Sequence, residues 1–421
     1  MNKKVYKRYI INENIIPYDF VVNTKSDFPK VSVHTEFLRK ECIDELTNVF
    51  IQSLELLNTI VSKNKLIKLF KYNKINEMVQ KWCWHQYNNK TCQDAVIPYV
   101  TNNKYVFSNF FEDINYILSS DIEESHPIFV QLIDNVISFL EQYWLHFKSL
   151  QATIENYDIC ISKKKNIISF KHNNSTILSI HKILYNRLLE KLKHTSPNIS
   201  NVNEFIFCLV FRYSYIDSGN QQLAVHKKIK DIFKFCGVDF ELFGSGLNTW
   251  STKYCSLFYD IEQYFGSKGN FFDIDINKGI YFCNPPYDNV IMENAAKKLI
   301  SILDNKKDVC FIVTIPIWDN KTSEVQPKKI LRNYNKDYDY SLFKDYPVYS
   351  ILKKYIKDEL IIPKISIPYF NHKLHTFIYA VNTYMLLVYN NIEPKYTQQL
   401  HTNFDKIIEL SNTNAFTVKN I

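Results

Sequence analysis

Glycine is scarce in this chain, with 7 residues in 421. That excludes glycine-rich repeats, and two glycines close together then point to a local demand on the backbone. No Cys-x-x-Cys pair occurs among nine scattered cysteines, which argues against a zinc site or a disulfide frame and for reduced thiols. Long apolar runs are missing as well. The longest, Phe205 to Phe211, is far too short to span a bilayer. Met1 to Arg8 is basic, with no apolar core of signal-peptide length. These absences lead us to expect an intracellular, soluble protein of the nucleus or cytoplasm, with no membrane partner.

What is present is a large stock of core-forming residues: 46% hydrophobic and 15% aromatic. At this length two cores are expected. The formal charge of +8 suits an anionic partner, although solvated lysines give the same balance. Lysine-, asparagine- and isoleucine-rich usage fits an AT-rich genome, such as that of a large virus or a protist.

Apolar periodicity predicts helices after Thr35, over Leu66 to Trp84, Phe110 to Leu118 and Pro127 to Leu150. A hairpin is expected around Lys163, Lys164 and Lys165, then a helix from Thr176 to Lys193. The Ser-, Pro- and Asn-rich stretch from His194 to Asn203 reads as a connector. Beyond it, two helices (Glu204 to Ile216 and Gln221 to Cys236) lead into short strands alternating with helices, the pattern of an α/β sheet. The expected architecture is a mainly α-helical domain over 1–203, an α/β, Rossmann-like domain over 204–395, and a helix and tail over 396–421.

Two strand-turns carry the chemistry. The apolar run Phe240 to Leu242 enters Phe243-Gly244-Ser245-Gly246, a turn of the kind that brings a cofactor against the backbone at a strand's carboxyl end. No Gly-Lys-Ser/Thr follows, which argues against a phosphate-binding nucleotide loop. The strand Gly279 to Cys283 then ends in Asn284-Pro285-Pro286-Tyr287. The Asn284 side-chain oxygen and the Pro285 carbonyl can both accept from a planar exocyclic amine. The prolines stiffen the turn, and Tyr287 offers a stacking face. Together the two turns read as a site for S-adenosyl-L-methionine beside a site for a planar exocyclic amine, as in an amino-methyltransferase.

Tyr254-Cys255-Ser256, Asp260, Tyr264 to Gly269, the Asn284 to Tyr287 turn with Met292 and Glu293, Phe311 to Val313, Ile315 to Trp318 and Ala380 to Thr383 together resemble the phosphorylated-CTD-interacting factor family. That family comprises cap-specific adenosine N6-methyltransferases, and the resemblance is dense from about Phe205 to Tyr389. It implies a Rossmann-like, S-adenosyl-L-methionine-dependent enzyme that methylates N6 of (2′-O-methyl)adenosine next to the m7G cap of mRNA. Tyr287 stands where animal members carry Phe. No WW module is expected before the core, which sets direct docking on the polymerase tail in doubt. Asn248 resembles a cofactor-side residue of the family, and Arg212 matches a family Arg-Tyr pair.

The expected roles follow. Asn284, Pro285, Pro286 and Tyr287 form the catalytic turn. Phe243, Gly244, Ser245 and Gly246 line the methionine part of the cofactor, and Asn248 stands on the same side or caps a helix. Glu241 and Asp260 are acids for its ammonium or ribose hydroxyls, or surface carboxylates. Arg212 and Trp318 are candidates for the substrate side. His372 and His375 lack a third ligand in register, so no metal is expected. Capped, single-stranded mRNA is the expected partner. Other adenine targets in RNA or DNA, and a non-catalytic RNA-binding module, stay open.

Overall fold

The computed structural model describes residues 16–23, 31–70, 74–88, 94–98, 107–152, 157–216, 222–234, 236–317, 331–332, 347–372, 375–412 and 416. After the short strand β1 (Asp19–Val22) come helices α1 (Val33–Glu55), α2 (Lys63–Phe70), α3 (Lys74–Asn88), α4 (Ser108–Leu118) and α5 (Pro127–Gln151). Ser32, rather than Thr35, caps α1 by accepting from the Thr35 amide; the side-chain oxygen satisfies one of the open amides of the first turn.

A three-stranded antiparallel sheet follows: β2 (Cys160–Lys164), β3 (Ile167–His172) and β4 (Ser175–His181). The hairpin was expected and β4 was not. The helix predicted from Thr176 starts only at Lys182 as α6 (Lys182–Thr195). Pairing with β3 decides this, since Phe170, Ile168 and Ile180 are buried and propensity yields to packing. Helices α7 (Val202–Tyr215) and α8 (Lys227–Lys234) flank the two-residue strand β5 (Leu223–Ala224).

Among the described residues, the carboxyl-terminal half is built on a mixed sheet of eight strands. Its members are β6 (Phe240–Glu241), β7 (Lys253–Tyr254), β8 (Ile274–Cys283), β9 (Val309–Ile317), β10 (Leu331–Arg332), β11 (Ile356–Ile362) and β14 (Asn382–Tyr389), with β1 paired to β8. The order is β10-β11-β14-β9-β8-β6-β7. Strands β7, β6, β8 and β9 run parallel, and β14 is antiparallel to both β9 and β11. A smaller sheet joins β5 to β12 (Tyr369–Asn371) and β13 (Thr376–Ile378).

All nine residues of β9 are buried, as a strand covered on both faces requires. Alternate residues serve opposite layers. Phe311, Val313 and Ile315 pack with Ala295, Leu299 and Leu303 of α10 (Asn289–Asn305) and with α11 (Pro347–Leu352). Cys310 and Ile312 pack with Ile229 and Phe233 of α8 and with Leu400 and Phe404 of α12 (Pro394–Asn412). Gly279 lies within β8 at φ +131, and a Cβ there would sit 2.7 Å from the Tyr18 ring, so close approach of the amino-terminal segment demands glycine.

The helical core runs from α1 through α7 and on to Phe258, Ile261 (α9, Tyr259–Glu262), Phe265 and Ile291. The helical core therefore reaches α9 and α10, and Phe243 after β6 packs against both it and the core of the large sheet. No helix among the described residues is long and apolar enough to cross a membrane.

Candidate active site

The turn after β6 is shaped by its own backbone and by Asn248. Leu242 donates to the Phe282 carbonyl at 2.8 Å and Gly244 to the Cys255 carbonyl at 2.9 Å. Asn248 Oδ1 accepts from the Ser245 amide at 2.8 Å, while Ser245 Oγ donates to Gln222 at 2.8 Å. These bonds open the turn beside β8, which pairs in parallel with β6.

The turn after β8 is braced from three directions. Thr314 on β9 donates to Asn284 Oδ1 at 2.6 Å. The Tyr287 hydroxyl meets that of Tyr369 on β12, and Tyr369 meets Thr383 of β14 at 2.7 Å. Burial and the neighbouring Tyr369 push the Tyr287 phenol well above its ordinary pKa, so it stays protonated. Asp288 caps α10 by accepting from the Ile291 amide at 3.1 Å. Its other oxygen lies 3.3 Å from Lys81 Nζ and 3.4 Å from His85 Nε2, both on α3. Burial alone would raise the Asp288 carboxyl, but His85, Lys81 and the Ile291 amide hold it at about 2.

Between the two turns lies a cleft of about 290 Å³. It gathers Phe243, Gly244, Ser245 and Asn248 from the first turn and Asn284, Pro285, Pro286 and Tyr287 from the second. Residues far from the first turn in sequence complete it: Tyr369, Ala380 and Val381 from the carboxyl-terminal part, and Trp84 of α3. Sequence reasoning missed Trp84, Gln222, Asn270 and Tyr369. They lie in no motif, and only chain folding brings them to the cleft.

Several expected site residues are elsewhere. Gly246 does not line the cleft; its amide donates to Glu262 Oε2 at 2.8 Å. Neither Gly244 nor Gly246 has a left-handed φ, and their close approach is to the protein itself. A Cβ on Gly246 would lie 3.0 Å from Leu209 and 3.2 Å from Glu262, and one on Gly244 3.3 Å from Thr249.

Glu241 is buried away from the cleft, 3.1 Å from Lys230 Nζ and accepting from Thr249 at 2.7 Å. Asp260 is not a surface carboxylate either. It takes both Arg212 terminal nitrogens, at 2.6 and 2.8 Å. Arg212, 0% exposed, also binds Glu36 and has no face left for a substrate. Its role as a substrate contact is corrected to that of an internal ion-pair centre. Trp318 lies outside the described residues. No group of metal-ligating side chains occurs among the described residues.

The cleft thus offers amide and hydroxyl groups (Gln222, Ser256, Asn270, Asn284), exposed backbone and the rings of Phe243 and Phe271, with no carboxylate among its lining residues. This set suits a nucleoside-like ligand, with ring faces for a base and neutral polar groups for hydroxyls.

Comparison with known proteins bears on the same region. The model of a family described as "Phosphorylated CTD interacting factor 1 WW domain" matches residues 181–337. Those residues span α6 to β10, including both turns. The motif resemblance is therefore upheld. The description names a WW domain, so the expected absence of one does not stand, and the doubt it cast on polymerase-tail docking loses its basis. Two curated relatives, from Mus musculus and Homo sapiens, are both named mRNA (2'-O-methyladenosine-N(6)-)-methyltransferase. Each is 28% identical over 182 residues, covering 40% of this chain and 24% of the relative. The match thus spans about a quarter of the length of these relatives.

Proposed function

We propose that this chain is an S-adenosyl-L-methionine-dependent RNA adenine N6-methyltransferase acting on adenosine at the first transcribed nucleotide beside an mRNA cap. The observation that carries this reading is the convergence of the Phe243–Ser245 and Asn284–Tyr287 turns on one cleft. The names of the relatives, both acting on 2'-O-methyladenosine of mRNA, supply the substrate class. Parallel strands β7, β6, β8 and β9, with β14 reversed between β9 and β11, support a Rossmann-like domain over 204–395. Helices α1 to α5 then form a support for the cap side, while β1 belongs to the large sheet. Docking on a phosphorylated polymerase tail is a further partner that the family description brings within this proposal.

The cofactor would supply an electrophilic methyl group on a sulfonium. The backbone of Phe243 to Ser245, the Phe243 and Phe271 rings, Ser256 and Asn270 would hold it. Asn284 Oδ1 and the Pro285 carbonyl accept from the two hydrogens of the adenine amine and aim the nitrogen lone pair. Pro285 and Pro286 restrict φ and hold those acceptors in place before the base arrives. Trp84 and Tyr369 wall the cleft and exclude water from the reacting nitrogen.

An adenine in a duplex has its N6 occupied, so an unstacked 5′-terminal nucleotide meets the site without base flipping. Methyl transfer to m7G-capped, A-starting RNA is expected to exceed transfer to the same RNA uncapped, and to fall with added salt as phosphate contacts are screened. Equal rates on capped, uncapped and internal adenosines would overturn cap specificity in favour of a general adenine methyltransferase.

A further inference from the structure

The acceptor oxygen of Asn284 has two lone pairs. Thr314 takes one, at 2.6 Å. The Tyr287 hydroxyl lies 3.4 Å from the same oxygen, near enough to take the other. If both were taken, no lone pair would remain for an incoming amine.

The Tyr287 hydroxyl has an alternative. It touches the Tyr369 hydroxyl, Tyr369 lies 2.7 Å from Thr383 Oγ1, and Thr383 reaches the Val381 carbonyl at 3.4 Å. A backbone carbonyl only accepts, so it sets the direction of the chain from its far end. Thr383 donates to Val381, Tyr369 donates to Thr383, and Tyr287 donates to Tyr369.

Resting on the reading of Asn284 as the amine acceptor, we propose that Tyr369 and Thr383 are positioning residues that draw the Tyr287 proton away from Asn284 and keep one lone pair open for the substrate amine. Because Tyr369, Tyr287 and Val381 all line the cleft, the chain runs along the wall that faces the base. A phenylalanine at 287 would carry no competing proton. The need for Tyr369 and Thr383 is therefore tied to the tyrosine this chain has there.

The test is a rescue. Two short single-stranded RNAs are compared, one starting with adenosine and one with purine riboside, which lacks the amine. Tyr369→Phe removes the nearest acceptor of the Tyr287 proton, which then turns in part to Asn284 and in part to Thr383. It is expected to weaken binding of the adenosine RNA, and to slow its methylation, by about three- to tenfold, the size of one net hydrogen bond. Purine riboside RNA should bind it as it binds the wild type. The double variant Tyr287→Phe/Tyr369→Phe, with no proton left to compete, should bind and methylate adenosine RNA better than Tyr369→Phe alone. Thr383→Val should reproduce the Tyr369→Phe pattern from the other end of the chain and serves if that variant folds poorly.

Wild-type behaviour of both Tyr369→Phe and Thr383→Val, or a double variant as weak as the single, would overturn the proposal. If Asn284→Ala is inactive while those two behave as wild type, this proposal alone fails. If Asn284→Ala binds and methylates as wild type, the underlying acceptor reading fails too.

Discussion

Thr314 Oγ1 donates to Asn284 Oδ1 across 2.6 Å, tying the central strand β9 to the turn after β8. Thr314 is itself fully buried, so the donor cannot drift, and it fixes the plane of the Asn284 amide. Thr314→Val keeps the shape but removes the donor, and methyl transfer should fall by about tenfold for one lost orienting bond. Thr314→Ser should keep most of the rate. Steady-state kinetics with the loss in kcat rather than in cofactor affinity checks this, and equal rates for Val and Ser would refute it.

Asn284→Ala removes the proposed amine acceptor itself. The rate should drop by about 10²–10³, the usual cost of removing one preorganised polar contact, with S-adenosyl-L-methionine affinity changed only a few-fold. Isothermal calorimetry beside a methyl-transfer assay separates the two effects. Lost cofactor binding would show that Asn284 acts elsewhere.

Gly246→Val should act through stability. The new side chain would meet Leu209 at 3.0 Å and Glu262 at 3.2 Å, inside packing that Tyr213 and Tyr254 tighten by both donating to Glu262. Overpacking of this kind costs about 1–3 kcal/mol. Urea unfolding should show that loss, and cofactor affinity should fall only as far as the turn shifts. A variant of wild-type stability that cannot bind cofactor would restore Gly246 to the ligand side.

Arg212→Met should destabilise the fold by about 3–5 kcal/mol, because Glu36 and Asp260 would lose the guanidinium they both bind and be left to share Arg39, which also pairs with Asp94. RNA KM measured on the folded fraction should stay unchanged, which a substrate-binding arginine would not allow. A pH dependence follows from the same network. Burial would raise Glu36 and Asp94, but Arg212 and Arg39 beside Glu36, and Arg39 beside Asp94, hold both carboxyls below their usual range. Depressed native pKa values stabilise the fold above the unfolded value, about 4. That stability is lost as pH falls through the lower native values. Acid titration followed by circular dichroism should therefore show unfolding below about pH 4, at a higher pH in Arg212→Met.

The two turns were legible because their chemistry is local. Asn284 to Tyr287 and Phe243 to Ser245 are contiguous stretches at strand ends, and a stiff Pro-Pro turn or a paired glycine stands out in a glycine-poor chain. The helix over Pro127–Gln151 was legible for the same kind of reason, since its apolar spacing repeats within a few turns. Strand β4 was not, because its conformation depends on pairing with β3.

The fate of the charged candidates was also decided at long range. Asp260 and Arg212 find each other and Glu36 across 48 and 176 positions, and no spacing rule reports such pairs. Trp84 and Tyr369 reach the cleft in the same way, one from α3 and one from β12. By itself the sequence determined which groups can accept an amine and where the chain turns, because those depend on residues next to one another. Only the tertiary structure decided which charges are buried as partners and which side chains wall the site, because a charge or a ring takes its role from whatever distant segment packs against it.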